Sequence, residues 1–451
     1  MHVTVIGGGL AGSEAAWQAA ESGVDVTLFE MRPHLQTSAH QTGELAELVC
    51  SNSLKSRLPS SAAGLLKAEL TLLGSVLLQE AETHSVPAGS ALAVDRIQFA
   101  KAVTKRLHEH PRIRVVRKEI KSLPPEGGVT VVASGPLTSP CLADSLKSLV
   151  GGEYLYFYDA ISPIVMADSV DTSVVFPAAR YEKGGADYLN CPFTREQYYE
   201  FIDALVAAER FEPHAFERGK FFGACAPVED LAGRGPDTLA FGSMRPVGLV
   251  DPRTGERPFA VVQLRSESRT GSMFTLVGFQ TRLRQGEQRR VFRMIPGLES
   301  AEFARYGSLH RNTFICSPRV LGETLEHRWR ESVFFGGQLT GVEGYVESIG
   351  TGWLAGQNAA RRVQGRSALL PPETTALGCM VRWLATASAK NYQPMNINFG
   401  LLPPLGSRVG SRKERYRQIS ERALAAMRRW AQALAPVSGR GEGVARVEGR
   451  D

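Results

Sequence analysis

Residues 2–16 have the sequence HVTVIGGGLAGSEAA, and they decide the fold at the start of the chain. The apolar stretch His2–Ile6 predicts a short strand, and the alanine-rich stretch Ala11–Ser22 predicts a helix after a glycine turn. Val24–Phe29 alternates apolar and polar side chains and predicts a second strand. A strand, a tight turn, a helix and a strand in this order predict an α/β fold with a doubly wound parallel sheet.

The glycine turn fits the pattern G-x-G-x-x-G between a strand and a helix. The first glycine of this pattern permits the tight turn, the second lets a pyrophosphate approach the backbone, and the third lets the helix pack on the strand. Glu30 ends the next strand, where a carboxylate accepts hydrogen bonds from ribose hydroxyls. The sequence therefore predicts a Rossmann-like dinucleotide site whose cofactor-binding residues are Gly7, Gly8, Gly9, Leu10, Ala11, Gly12 and Glu30.

A second glycine-rich segment lies late in the chain and favours FAD over NAD. Phe335–Gln338 follows an apolar strand, and Gly341–Gly356 leads into a predicted helix over Gly350–Val363. A long, extended cofactor needs such a distant segment to fix its ring end, whereas the alternative is a glycine-rich packing helix without a ligand. The predicted cofactor-binding residues here are Gly336, Gly337, Gln338 and Glu347.

The pattern of predicted strands and helices, together with local composition, divides the chain into four parts. Strands and helices alternate over 1–145, and short strands such as Phe259–Leu264 and Met273–Phe279 predict an inserted α+β domain over 146–309. The α/β texture returns over 310–435, and 436–451 is rich in Gly, Arg and Glu and is predicted to be disordered. Within these parts we predict the helices Leu65–Glu82, Asp95–His110 and Ser411–Ala433 and the strands Val129–Ala133 and Val333–Phe335.

Composition is that of a globular protein and fits either a slightly basic housekeeping enzyme or a protein with a nucleic-acid partner. The net charge is +6, and arginines clearly outnumber lysines; arginine is favoured for bidentate phosphate contacts. The six cysteines are far apart and form no CxxC pair or metal-binding cluster, so we expect reduced thiols and no metal. No signal peptide or membrane-length apolar run is present, and we expect a cytoplasmic protein that does not bind membranes.

Two of the cysteines lie in loops with unusual surroundings. Cys50 lies in the polar stretch Glu47–Ser56, just after the first βαβ unit, and Cys225 lies in the small-residue and proline stretch Phe222–Glu229. A free thiol is only a few per cent thiolate at neutral pH, so a reactive cysteine needs positive charge nearby. The alternative for each is a buried packing residue, as free cysteines commonly are.

Nearly the whole chain resembles the folate- and FAD-dependent tRNA (uracil-5-)-methyltransferases, which are related to the flavoproteins that modify wobble uridines. This chain departs from the family before the second cysteine, where the family usually has Glu-Gly and this chain has Gly223-Ala224. Besides the glycine loop, the resemblance rests on Glu47–Ser56, Val86–Arg96, Arg245–Leu249, Val277–Thr281, Glu287–Phe292, Ile295–Glu299, His310–Phe314 and Gln393–Gly400.

The resemblance implies methylation of C5 of the uridine at position 54 in the T loop of tRNA. The family takes the carbon from methylenetetrahydrofolate, and reduced flavin, recharged by NADPH or NADH, supplies the electrons. By motif match, Cys225 is implied as the nucleophile that adds to C6 of uracil and Cys50 as the second essential thiol. The basic residues that we expect to contact tRNA phosphates are Arg282, Arg284, Arg289, Arg290, Arg412, Lys413, Arg415 and Arg417.

Three other functions compete with this one. A wobble-uridine-modifying flavoprotein shares the fold but normally carries a longer C-terminal helical region. An NAD(P)H-dependent flavin oxidoreductase without an RNA substrate would leave the thiols unused. A flavin-containing tRNA chaperone would bind tRNA and form no product.

Overall fold

The computed structural model describes residues 1–37, 39–124, 127–150, 155–180, 185–211, 226–406 and 410–434. Its strands, numbered along the chain, are β1 (His2–Ile6), β2 (Asp25–Glu30), β3 (Ser53–Ser56), β4 (Ser85–Val86), β5 (Ala91–Val94), β6 (Ile113–Arg117), β7 (Val129–Val132), β8 (Leu155–Ile161), β9 (Ile164–Met166), β10 (Phe176–Pro177), β11 (Tyr188–Phe193), β12 (Ala260–Ser266), β13 (Met273–Leu276), β14 (Phe303–Arg305), β15 (Ser308–Phe314), β16 (Glu326–His327) and β17 (Arg330–Phe335).

The helices of the same residues surround these strands. They are α1 (Leu10–Glu21), α2 (Ala62–Leu72), α3 (Val76–Thr83), α4 (Arg96–Glu109), α5 (Pro140–Val150), α6 (Arg195–Ala207), α7 (Val228–Ala232), α8 (Thr238–Phe241), α9 (Gln285–Phe292), α10 (Ser317–Val320), α11 (Tyr345–Val363), α12 (Ala376–Thr386) and α13 (Arg412–Leu434).

The main sheet has the strand order β16-β17-β7-β1-β2-β6, and all of its pairs are parallel except β16 with β17. The chain leaves β1 toward β2 on one side, and β7 lies on the other side of β1. The strand order therefore reverses between β1 and β7, the place where parallel sheets of this kind bind ligands. This sheet confirms the predicted Rossmann-like α/β fold.

Helix α11 packs directly against α1 because neither helix carries large side chains at their contact. A Cβ atom on Gly352 would lie 2.2 Å from the carbonyl oxygen of Ala11, and one on Gly356 would lie 2.3 Å from that of Ala15. A buried apolar core fills the space around these helices and the sheet, and includes Val5, Leu66 and Phe334. The second glycine-rich segment is therefore held against the glycine loop of β1.

A second core belongs to an antiparallel sheet of order β10-β11-β12-β13-β9-β14. Its buried residues extend from Val165 to Ala301 and include the aromatic pair Phe193 and Phe201, whose ring centroids are 5.5 Å apart. The two-stranded ribbon of β8 and β15 joins this sheet to the main one. The boundaries 1–145, 146–309 and 310–435 stay a prediction, and the tail 436–451 lies outside the described residues.

Two helix predictions were wrong in their bounds. The stretch predicted as one helix, Leu65–Glu82, forms α2 and α3, which meet at an angle of 111°. Gly74 has φ +73°, and the hydroxyl of Ser75 accepts a hydrogen bond from the N–H of Leu78, so one helix ends and the next begins there. Helix α11 begins at Tyr345, five residues before the predicted start at Gly350.

Among the described residues, no single helix is long and apolar enough to cross a bilayer; only the bent pair α2 and α3 has the length and composition when taken together. The same residues contain no group of three or more His, Cys, Asp or Glu side chains that could hold a metal ion.

Candidate active site

The glycine loop, which directly precedes α1, is tightly packed at Gly7 and Gly12 but has free space at Gly9. Gly7 has φ +102°, and a Cβ atom there would lie 2.5 Å from the carbonyl oxygen of Ala133. A Cβ on Gly12 would lie 1.8 Å from the carbonyl oxygen of Gly7. A Cβ on Gly9 would meet no heavy atom within 4 Å, and Gly9 lines the cleft at the N-terminus of α1. The space above Gly9 is therefore available to a ligand.

Glu30 lies at the end of β2 directly beside the loop. Its Oε2 accepts a hydrogen bond from the N–H of Gly8 at 2.8 Å, and its Oε1 accepts one from Arg32 Nε at 2.9 Å. Burial would raise the pKa of this carboxyl, but the hydrogen bonds and charge of Arg32 outweigh burial and hold the pKa below its usual range. Glu30 is therefore an anion at neutral pH, fixed at the edge of the cleft.

The cleft runs from the glycine loop along the ends of β1, β2 and β7. Its volume is about 1010 Å³, including space open to solvent. Of the residues predicted to bind the cofactor, Gly7, Gly9, Leu10, Ala11, Glu30, Gly337 and Gln338 line it. Residues that sequence reasoning missed also line it, including Arg32, His40, Lys118, Ser134 and Tyr345.

The second glycine segment forms the far wall of the cleft. Gly337 has φ +76°, and its N–H donates to Thr351 Oγ1 at 2.8 Å, which fixes the turn against α11. Gln338 donates from Nε2 to Glu343 Oε2 at 2.7 Å. Glu347 lies buried, where it accepts hydrogen bonds from Lys55 Nζ at 3.3 Å and from the N–H of Ile397 at 3.2 Å. Its predicted contact with the cofactor stays a prediction.

A second pocket continues the cleft beyond α11 and contains Cys50. Its volume is about 1060 Å³, and the two spaces share the lining residues Val49, Pro136, Leu137, Gln338 and Tyr345. We call this space the Cys50 pocket. The ring end of an extended dinucleotide in the cleft would lie where the two spaces meet.

Tyr345 holds the backbone at Cys50. Its hydroxyl oxygen accepts hydrogen bonds from the N–H of Cys50 at 2.8 Å and from that of Ser51 at 3.0 Å. Burial, together with the charge of Cys50, raises the pKa of the Tyr345 phenol, so the phenol is neutral at physiological pH. The Cys50 side chain is half-buried and lines the pocket.

Lys55 brings a positive charge to the same pocket. It has φ +64°, a left-handed conformation that costs free energy for a residue other than glycine. Its Nζ pairs with Glu347 Oε1 and contacts Asn396 Oδ1, and its side chain is 43% exposed. The amide side chains of Gln280, Asn312 and Asn396 also line this space, which suits a polar heterocyclic ring.

Cys225 lies outside the described residues, and its place relative to Cys50 stays a prediction. The chain is described again from Ala226, and the N–H of Val228 donates to the carbonyl oxygen of Gln280 at 2.7 Å. Because Gln280 lines the Cys50 pocket, the segment that follows Cys225 is attached to the wall of that pocket.

The predicted RNA-binding arginines differ in how free their guanidinium groups are. Arg282 is only 11% exposed in its side chain and donates to both carboxylate oxygens of Asp230. Arg284 and Arg290 are exposed and form surface ion pairs with Glu209 and Glu287. Surface ion pairs of this kind are weak and exchange readily for a phosphate.

On α13 the basic residues surround an aromatic pair. The guanidinium groups of Arg412 and Arg415 lie 5.2 and 5.5 Å from the ring centroid of Tyr416. Tyr416 stacks on Phe399 with 4.1 Å between ring centroids. Lys413 is exposed beside them, and Phe399 is three residues from Asn396 of the Cys50 pocket. The aromatic pair of this basic surface is therefore connected to that pocket by a short stretch of sequence.

Comparison with known proteins identifies the family. The model of the family described as glucose inhibited division protein A matches residues 2–367. The chain is 56% identical over 430 residues to the methylenetetrahydrofolate--tRNA-(uracil-5-)-methyltransferase TrmFO of Heliobacterium modesticaldum, covering 95% of this chain and 98% of that protein. It is also 56% identical over 429 residues to the TrmFO of Geobacter sulfurreducens, covering 95% and 98%. The chain belongs to the TrmFO family.

A solved structure of another protein has the same fold as this chain. Aquifex aeolicus GidA superposes with a TM-score of 0.70 at 18% identity, covering 96% of this chain and 74% of that one. At this identity the likeness concerns the fold alone. The predicted resemblance to the tRNA (uracil-5-)-methyltransferases is confirmed.

The residues of this TrmFO chain fit FAD. The backbone at Gly9 faces open space at the positive end of α1, where a pyrophosphate is stabilised. The anionic Glu30 ends β2 beside it, as hydrogen bonding to a ribose requires. The cleft then continues to the N-terminal end of α11, at the second glycine segment. Each part of an extended flavin dinucleotide has a matching wall.

Proposed function

We propose that this chain methylates C5 of the uridine at position 54 in the T loop of tRNA, using methylenetetrahydrofolate as carbon donor and FAD as cofactor. The observation that carries the proposal is the Cys50 pocket, a thiol-bearing space that adjoins the cleft beside Gln338 and Tyr345. The names of relatives that are 56% identical over nearly their whole length support the same reaction.

The proposed reaction needs a thiol as a nucleophile. C5 of uracil is a poor nucleophile until a thiolate adds to C6, which gives C5 the character of an enolate carbon. We assign this addition to Cys225 and assign Cys50 the second thiol function, next to the flavin. The attachment of Val228 to Gln280, on the wall of the Cys50 pocket, supports a reaction in which both thiols take part.

The bound cofactor would supply the electron pair that converts a transferred methylene into a methyl group. NADPH or NADH is the proposed source of these electrons. The chain's own residues would fix the reactants: Glu30 and the glycine loop hold the dinucleotide, and Tyr345 holds the backbone at Cys50. The amides of Gln280, Asn312 and Asn396 offer hydrogen bonds to the edges of a heterocyclic ring.

We assign tRNA phosphate contacts to the exposed basic residues. Those on α13 are favoured because their neighbour Phe399 lies close in sequence to Asn396 of the Cys50 pocket. On and before α9 the candidates are Arg284, Arg289 and Arg290, whereas Arg282 is largely buried in its pair with Asp230. A cytoplasmic location follows from tRNA as substrate and is part of the proposal.

The proposal is tested by incubating an unmodified tRNA transcript with the FAD-loaded protein, methylenetetrahydrofolate and NADPH. We expect 5-methyluridine in the nucleoside digest, and none from a matched transcript with cytidine at position 54. Oxidation of NADPH without methylated product would favour a flavin oxidoreductase. Tight tRNA binding without product under these conditions would favour the non-enzymatic alternative.

A further inference from the structure

Three arginines from elements far apart in the sequence hold the segment Leu48–Asn52 around Cys50. Arg305, on β14, donates from Nη1 to the carbonyl oxygen of Val49 at 2.8 Å. Arg265, on β12, donates from Nη2 to Ser51 Oγ at 2.9 Å. Arg96, the first residue of α4, donates from Nη1 to the carbonyl oxygen of Leu48 at 3.2 Å. Leu48, Val49 and Ser51, which lie on both sides of Cys50 in the chain, thus each accept a hydrogen bond from one guanidinium group.

Asn52 attaches this segment to the strands β5 and β12. Its Oδ1 accepts a hydrogen bond from Arg265 Nε at 2.8 Å, and its Nδ2 donates to the carbonyl oxygens of Val94 and Ser266 at 3.0 and 2.9 Å. Asn52 is fully buried, and Arg265 is 7% exposed. The position of the thiol is therefore fixed by residues on β5 and β12 as well as by Tyr345.

Few negative charges oppose these guanidinium groups. Arg96 Nε pairs with Glu267 Oε2 at 2.6 Å, and Glu47 pairs with Arg32. Lys55 adds a further positive charge in the pocket, itself paired with Glu347, while Glu343 is bound by Gln338. Arg265 and Arg305 have no carboxylate within ion-pair distance among the described residues. Two guanidinium groups bound beside Cys50, those of Arg265 and Arg305, are therefore without an ion pair among the described residues.

The guanidinium groups and the thiol are close enough to influence each other. Burial lowers the pKa of both Arg265 and Arg305. Glu267 and Cys50 act in the opposite direction on Arg265, and Cys50 and Glu47 do so on Arg305. Arg96 Nη2 is buried and has no hydrogen-bond partner among the described residues.

We propose that Arg96, Arg265 and Arg305 are positioning residues that fix Cys50 and create a positive field at its sulfur. The field attracts anionic reactants to the thiol. This inference rests on the proposed function only in treating Cys50 as a reactive thiol.

The test compares the alkylation of Cys50 by iodoacetate, an anion, and by iodoacetamide, a neutral reagent of nearly the same size. Peptide mass spectrometry follows Cys50 alone, in FAD-loaded protein without tRNA or folate. Because both reagents attack the same thiolate, the ratio of their rates reports the local potential and not the position or mobility of the segment. In Arg305→Met we expect this ratio to fall about threefold to tenfold, the effect of removing one nearby charge in a partly screened site.

Two further variants separate charge from packing. Arg305→Lys keeps the charge and should retain the ratio within about twofold. Arg293→Met is the matched control, because Arg293 also donates to a backbone carbonyl of the same sheet region, that of Ala301, at 2.9 and 3.1 Å. It should leave the ratio unchanged.

If Arg305→Met does not bind FAD, Arg96→Met gives the same comparison from a partly exposed site on α4. A ratio that stays at the wild-type value in the Met variants would overturn the proposal, as would an equal fall in Arg293→Met. The alkylation assay needs no methylation, so a failure of the tRNA assay would leave this result readable on its own.

Discussion

At the scale of single residues, Gly9 and Gly12 belong to one loop but are required for different reasons. A side chain on Gly12 would overlap the carbonyl oxygen of Gly7, whereas a side chain on Gly9 would meet only the open cleft. The G-x-G-x-x-G pattern predicts this difference, because its second glycine lets a pyrophosphate approach and its third lets the helix pack on the strand. The contacts around Gly9 and Gly12 agree with these two roles.

The two glycines therefore predict different losses on substitution. Gly9→Val should fold with a melting temperature near that of the wild-type apoprotein but bind no FAD, because its side chain fills the cradle. Gly12→Val should destabilise the fold itself by about 1–3 kcal/mol or more, because the strand and the helix must separate. Absorbance of the flavin and thermal unfolding measure both effects; a yellow, FAD-saturated Gly9→Val protein would refute the placement.

The two thiols predict distinct results with a substrate that cannot complete the reaction. A tRNA with 5-fluorouridine at position 54 should form a covalent complex with the wild-type protein, because fluorine replaces the C5 proton that must be removed before the thiol can leave C6. Cys225→Ser should form none, since a serine hydroxyl is a much weaker nucleophile than a thiolate, and should still bind FAD. Gel mobility of the denatured complex detects the adduct. An adduct that persists in Cys225→Ser and is lost only in Cys50→Ser would reverse the two assignments.

At the scale of secondary structure, buried glutamates join helices that the sequence shows only separately. Glu69 on α2 accepts hydrogen bonds from the N–H groups of Ala376 and Leu377 at 2.8 and 2.9 Å, so it caps α12. Glu14 on α1 accepts one from the N–H of Leu77 at 3.2 Å, at the start of α3. Periodicity predicts the helices themselves, but contacts more than sixty residues apart in the chain follow from packing and leave no local signal.

The titration of Glu69 should make the folded protein less stable as pH rises. Burial raises the pKa of its carboxyl to about 8, above the value near 4.5 that it has when exposed. Folding therefore takes up a proton between these values, and the contribution of Glu69 to stability is lost as pH rises from about 5 to 8. Each proton taken up gives a slope of about 1.4 kcal/mol per pH unit.

Urea unfolding at pH 5, 6.5 and 8 measures this slope. Glu69→Gln cannot titrate, and its unfolding free energy should fall less steeply over the same range than that of the wild type. Burial also raises the pKa of Glu14, to about 7, so part of the slope should remain in the variant. Equal slopes in the two proteins would show that Glu69 stays ionised in the folded state.

At the scale of the whole molecule, the sequence predicts the cofactor half of the site better than the thiol half. The glycine loop and Glu30 are close in sequence, so spacing alone brings them together. Arg96, Arg265 and Arg305 reach Cys50 from α4, β12 and β14, and only the packing of the second sheet against the first unites them. Arg96 lies in a stretch that the family resemblance already marks, but Arg265 and Arg305 carry no such signal.

The affinity for tRNA should fall as the salt concentration rises, because basic residues on the surface bind phosphates. Each arginine or lysine that meets a phosphate contributes about −0.7 to −0.9 to the slope of log affinity against log salt. Filter binding between low and physiological salt measures this slope for the wild type. Replacing Arg412 and Arg415 by Gln should make the slope smaller by about one to two, and a flat dependence in the wild type would remove tRNA from the proposed partners.

The central claim is that the methyl carbon comes from folate while the electrons come from the flavin. The most direct measurement supplies methylenetetrahydrofolate with a ¹³C, dideuterated methylene, together with NADPH and unmodified tRNA, and analyses both products by mass spectrometry. We predict a ¹³C methyl group at C5 of the uridine at position 54 that keeps both deuteriums, with the folate released as tetrahydrofolate. Release of dihydrofolate would show that folate itself supplies the electrons, and an unlabelled methyl group or an unmodified position 54 would contradict the proposed reaction.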